Sequence, residues 1–63
     1  MTDYRLYLFN GRGRIQKAVA VDCEDDREAI AQARAQRWPN QVEVWQRGRL
    51  VSLMVPQAGE ARP

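Results

Sequence analysis

Tyr4-Arg5-Leu6-Tyr7-Leu8-Phe9 is the stretch that decides the fold. It is built of strand-favouring residues, and it is apolar on both parities. Alternate residues of a strand point to opposite faces, so Tyr4, Leu6 and Leu8 line one face, and Arg5, Tyr7 and Phe9 the other. A strand apolar on both faces belongs at the centre of a sheet and needs cover on both sides. The rest of the chain supplies a single helix. The second face therefore needs another cover, and this mismatch is the main functional clue in the sequence.

The neighbouring segments follow from this strand. Asn10-Gly11-Arg12-Gly13 reads as a turn, because glycine and asparagine tolerate positive φ. Arg14 to Asp22 reads as a second strand with Ile15, Val19 and Val21 on one face and Lys17 snorkelling from it. Pairing Phe9 with Arg14 sets Leu8 opposite Ile15 and Tyr4 opposite Val19, so that the apolar faces coincide. Asp25 with Glu28 three residues on is a capping box, and the carboxylates from Asp22 onward suit the positive end of a helix dipole. A helix is expected from Arg27 to about Arg37, with a narrow stripe of Ala29, Ile30 and Ala33, ended by Pro39. Gln41 to Gln46 and Arg49 to Val55 read as a hairpin around Arg47-Gly48, with Val44 facing Val51 and Val42 facing Leu53.

The predicted architecture is α+β: ββαββ, a four-stranded antiparallel sheet of order 2-1-3-4 with one helix on one face. One domain is expected over residues 1–56, and a disordered tail over 57–63, where no apolar period remains. The expected core is Leu6, Leu8, Ile15, Val19, Val21, Ile30, Ala33, Val42, Val44, Val51 and Leu53. The open face collects Arg5, Tyr7, Phe9, Gln16, Ala18, Ala20, Glu43, Trp45, Leu50, Ser52 and Met54, which is too apolar for a solvated surface.

Composition removes most chemistries. The 63 residues contain no histidine and one cysteine, Cys23. That leaves a poor metal-ligand set, no disulfide framework and no base to activate a nucleophile. Cys23 sits among carboxylates, which oppose a thiolate, so it reads as inert. The acidic cluster from Asp22 to Glu28 lacks the spacing and glycine of a calcium loop. No catalytic residues, metal site or cofactor are expected. There is no basic leader followed by an apolar stretch, and no run of bilayer-spanning length, so a reducing, cytoplasmic setting without a membrane is expected.

The motifs Tyr4-Arg5-Leu6-Tyr7, Gly13-Arg14-Ile15, Asp25-Asp26-x-Glu28-Ala29-Ile30, Val42-Glu43-Val44-Trp45 and Arg49-Leu50-Val51 resemble those of a group of short uncharacterised alphaproteobacterial proteins. The resemblance spans Tyr4 to about Leu53. The group carries no assigned activity. The resemblance therefore implies a bacterial, cytoplasmic protein and supplies no functional residues.

The functional expectation is a small non-enzymatic protein-binding or assembly module. The module is expected to homodimerise through its open sheet face, with Arg5, Tyr7, Phe9, Trp45, Leu50 and Met54 as the interface, another protein being the lesser candidate partner. At this length a partner subunit is a common source of buried area. Cover within one chain, by the tail or by Trp38, is the bland alternative. A weak single-stranded nucleic-acid binder using the same aromatic face is the second reading. The net charge of +2 and the arginine pairs at opposite hairpin tips oppose it. No binding to oligonucleotides tighter than about 10 μM near physiological salt is expected.

Overall fold

A computed structural model describes residues Met1–Val55. The expected tail at 57–63 lies outside the described residues. The elements are β1 (Thr2–Phe9), β2 (Ile15–Cys23), α1 (Asp26–Ala35), β3 (Val42–Gln46) and β4 (Arg49–Met54). The sheet runs in the order β2-β1-β3-β4, and each neighbouring pair is antiparallel. The strand apolar on both faces is thus central, and α1 packs on one face, as its pattern requires.

The core forms where β1 and β3 meet the helix. Tyr4, Leu6, Leu8, Val42 and Val44 from the sheet are buried against Ala29 and Ala33 of α1, with Cys23 closing one end. Val19, Val21, Trp38, Val51 and Met54 pack around them. The two alanines permit close approach of helix to sheet, because no side chain beyond a methyl group separates them. Ile30, expected in this core, lies at its margin and is half-buried.

The helix begins at the expected capping pair, with the return bond reaching one residue further back, to Glu24 rather than Asp25. Asp25 Oδ1 accepts from the Glu28 N–H at 2.9 Å, and Glu28 Oε1 accepts from the Glu24 N–H at 2.6 Å. It ends earlier than Pro39 alone would dictate. Arg37 turns left-handed at φ 52, and the Gln36 and Arg37 N–H groups close on the carbonyls of Ala33 and Arg34.

Both hairpins depart from the simplest register, with opposite consequences. In β1–β2, Tyr4 pairs with Val21, Leu6 with Val19 and Leu8 with Lys17. This is a two-residue slip from the expected pairing, so every side chain of β1 keeps its face. A longer loop absorbs the slip. Asn10 Oδ1 accepts from the Arg12 and Arg14 N–H groups, and Gly13 takes φ 82. A bulge between Leu8 and Phe9 then sets Ile15 opposite Phe9. Ile15, expected in the core, is 54% exposed.

In β3–β4 the bulge changes the faces. Gln46–Arg49 and Trp45–Leu50 pair as expected, but Val44 then pairs with Ser52, Glu43 with Leu53 and Val42 with Met54. One extra residue, Val51, reverses the facing of the strand beyond it. Leu53 therefore leaves the expected core and is 52% exposed. Met54, expected on the open face, packs against the core instead. Its unbranched thioether suits the gap beside Val42.

The β3–β4 turn carries a mismatch that predicts a stabilising change. Arg47, not Gly48, holds the left-handed conformation, at φ 58. A β-carbon added at Gly48 meets nothing within 4 Å. The residue free of left-handed strain thus sits one place from the position that needs it. Arg47→Gly combined with Gly48→Ala is expected to stabilise the fold by about 1 kcal/mol. At this size that raises the thermal midpoint by roughly 4–8 °C. A thermal melt followed by far-UV circular dichroism checks it, and a lowered midpoint would contradict the turn geometry.

Candidate functional site

The face opposite α1 is built from β1 and its neighbours by strand alternation. Arg5 lies between Ala20 of β2 and Trp45 of β3, and Tyr7 lies between Ala18 and Glu43. Beyond Trp45 stands Leu50, and beyond Glu43 stands Leu53. Tyr7, Glu43 and Trp45 are half-buried, whereas Arg5, Leu50 and Leu53 are exposed.

Glu43 is an acid in the middle of this face, and its neighbours satisfy it. Its Oε1 accepts from Trp45 Nε1 at 2.9 Å, and its Oε2 accepts from Gln41 Nε2 at 3.0 Å. The three residues alternate along β3 and its approach, which places them on one side. The hydrogen bonds fix the Trp45 ring flat enough along the strand to reach Glu43. They also offset part of the cost of covering the carboxylate.

The expected interface residues divide into three groups. Arg5, Tyr7, Trp45 and Leu50 share the open face. Phe9 is already buried within its own chain, next to Ile15. Met54 belongs to the helix side, as described above. Sequence alternation missed Leu53 and Ile15 here, because each was carried to this face by a bulge or a register slip. Trp38, a candidate cover for the face, packs on the core side, where its Nε1 donates to the Phe9 carbonyl at 2.7 Å.

A second polar arrangement joins three elements at the other edge of the core. The Tyr4 hydroxyl donates to Asp26 Oδ1 at 2.8 Å, and the Arg49 guanidinium grips both Asp26 oxygens at 3.0 and 3.1 Å. It ties β1, the helix start and β4 together. Burial and the Asp26 contact push the Tyr4 hydroxyl up to about 12. Hydrogen bonds from Arg49 and then Tyr4 hold the Asp26 carboxyl below its ordinary value, and Asp26 in turn raises Arg49. This is a structural clasp, because each polar group is consumed by another and nothing reactive is left over. Burial, reinforced by Glu28, Asp22 and Asp25, raises the Cys23 thiol, so its sulfur is held as the weakly nucleophilic thiol.

A shallow groove of about 190 Å³ lies where α1 ends over β3 and β4, lined by Ala33, Arg34, Arg37, Trp38, Val42 and Met54. Among the described residues no three histidine, cysteine or carboxylate side chains converge as a metal site would require. Among the same residues no helix is long and apolar enough to cross a membrane. No family model, curated protein or solved structure matches this chain.

Proposed function

We propose that the chain is a non-enzymatic assembly module that pairs with a second copy of itself through the open sheet face. The observation that carries this reading is the row of exposed Leu50 and Leu53 beside half-buried Trp45 and Tyr7, on the face that α1 does not cover. Fully burying a leucine contributes roughly 1.5–3 kcal/mol. Two copies stacked sheet to sheet would cover both sets at once, since a two-fold axis brings the same patch of each subunit together. Trp45 and Tyr7 are the ring types that anchor such interfaces, and Arg5 stands at the rim. Glu43 adds a constraint. A seam centred on it would juxtapose two carboxylates, so the reading sets the axis on the Trp45, Leu50 and Leu53 side. The buried, protonated Cys23 accords with a reducing, cytoplasmic setting, which belongs to the same proposal.

The same face could stack single-stranded bases. Glu43 stands among its rings and occupies the Trp45 Nε1 donor. Its charge repels phosphate, which favours the dimer.

Light scattering after size exclusion, at micromolar concentration, tests the proposal. The expected result is twice the mass of the chain for the parent and a monomer for Leu53→Glu, with the circular dichroism of the parent retained. A parent monomer with well-dispersed amide resonances would overturn it.

A further inference from the structure

The two ends of the sheet differ sharply in charge. Asp3 pairs with Asp22 at the end where β1 starts, and α1 starts there too, with Glu24, Asp25, Asp26 and Glu28. Arg27, Arg47 and Arg49 accompany these acids. The opposite end gathers Arg12 and Arg14 on the β1–β2 loop, Lys17 beside it on β2, and Arg34 and Arg37 where α1 finishes. Among the described residues this end carries no acid. Glu43, the nearest, lies one residue in from this end of β3, opposite Tyr7 on the open face, and its two oxygens are held by Gln41 and Trp45. Among the described residues the ion pair joins Arg49 to Asp26, at the acidic end. None of the five cations is in an ion pair with a carboxylate of the described residues.

The tertiary structure assembles this end and also stiffens it. Asn10 Oδ1 braces the loop through the Arg12 and Arg14 N–H groups. The Phe9 N–H donates to the Gln41 carbonyl, and Trp38 Nε1 donates to the Phe9 carbonyl, which fastens the helix exit to the end of β1. Asn40 stands beside Gly11, where a β-carbon would come within 4.0 Å of Oδ1. Loop and helix exit thus form one surface.

We propose that this basic end binds the phosphate backbone of single-stranded nucleic acid. Four of its five cations are arginines, whose planar forks match phosphate oxygens. They lie on two layers, sheet and helix, which a flexible strand can follow. The exposed apolar residues at this end, Ile15 on β2 and Val55 just after β4, lie at opposite edges of the sheet and form no continuous patch to enter a bilayer interface, which disfavours a lipid surface. The site is separate from the open sheet face, so pairing through that face leaves a basic end free on each subunit. The failure of either proposal leaves the other standing.

Fluorescence polarisation with a labelled mixed-sequence DNA 20-mer, across a salt series, tests it. The expected Kd is roughly 10–100 μM at 50 mM salt, weakening roughly 50- to 130-fold by 200 mM as about four to five phosphates are neutralised. Arg12→Gln/Arg14→Gln/Arg34→Gln/Arg37→Gln should weaken binding at least about tenfold at 50 mM salt. Arg27→Gln/Arg47→Gln, at the acidic end, should change it less than about threefold. All of these side chains are exposed, and circular dichroism confirms folding; Arg12→Gln/Arg14→Gln alone keeps the test available if the fourfold variant unfolds. Equal losses from the two ends would overturn the proposal. So would no binding at 50 mM salt, or loss on Trp45→Ala with the fourfold variant unaffected. Co-sedimentation with phosphatidylserine vesicles without oligonucleotide binding would overturn it in favour of a lipid surface.

Discussion

Leu6→Ala is expected to unfold the domain or bring it to the brink. Leu6 has no exposed surface, and it lies between Val19 on β2 and Val44 on β3, beneath the helix. Removing three carbons there forfeits their transfer from water and leaves a cavity that rigid neighbours fill only in part, at a cost of roughly 2–5 kcal/mol. A domain of this length has about 3–9 kcal/mol in total. The thermal midpoint should fall by at least about 10 °C, and urea unfolding should begin at the lowest concentrations. Asp3→Ala, on the same strand, exposed on the other face and outside the proposed seam, is the control and should stay within about 0.5 kcal/mol of the parent. Both melts are run at one protein concentration, since self-association would otherwise shift the midpoint. Equal melts for the two variants would show that β1 does not face as described.

Ala29→Leu is expected to damage the same interface from the other side. Ala29 is fully buried in the contact between α1 and the sheet, and Ala33 is nearly so. A leucine at position 29 has nowhere to go unless the helix lifts off the sheet. Overpacking of this kind costs about 1–3 kcal/mol, and here it also opens the core around Leu6 and Val44. Ala31→Leu, on the exposed side of the same helix, should be nearly neutral, because leucine and alanine differ little in helix propensity. Denaturant titrations of the two variants separate the effects. A neutral Ala29→Leu would mean that the helix–sheet contact is looser than its burial indicates.

The elements of the fold were legible because each is written locally. A β1 apolar on both parities, a capping box at Asp25 and Glu28, glycine turns and a pair of short β-branched runs determine strand, helix and turn within a few residues of each other. The central position of β1 follows from its two apolar faces. Half of the candidate face was equally legible: alternation along β1 and the start of the β3–β4 hairpin places Arg5, Tyr7, Trp45 and Leu50 together.

The remainder depended on tertiary packing. Alternation is a period-two rule, so a single bulged residue reverses it, and no residue near Val51 announces a bulge. Packing against the end of α1 gives Met54 a place beside Val42, and Leu53 is turned outward as a result. Ile15 moved because the Asn10 loop closed one residue wider than the shortest turn, a choice made by side-chain hydrogen bonds to Asn10. The basic end was invisible in the chain because Arg12 and Arg14 are about twenty residues from Arg34 and Arg37. They meet only because α1 runs the length of the sheet and returns the chain to the end where β1 finishes. Local patterning specified which segments become strands and helix, and that the one helix would cover only one face of the sheet. Long-range packing fixed which side chains reach the face opposite α1 and where the arginines collect, because register, bulges and crossover direction are settled by contacts between residues far apart in the chain.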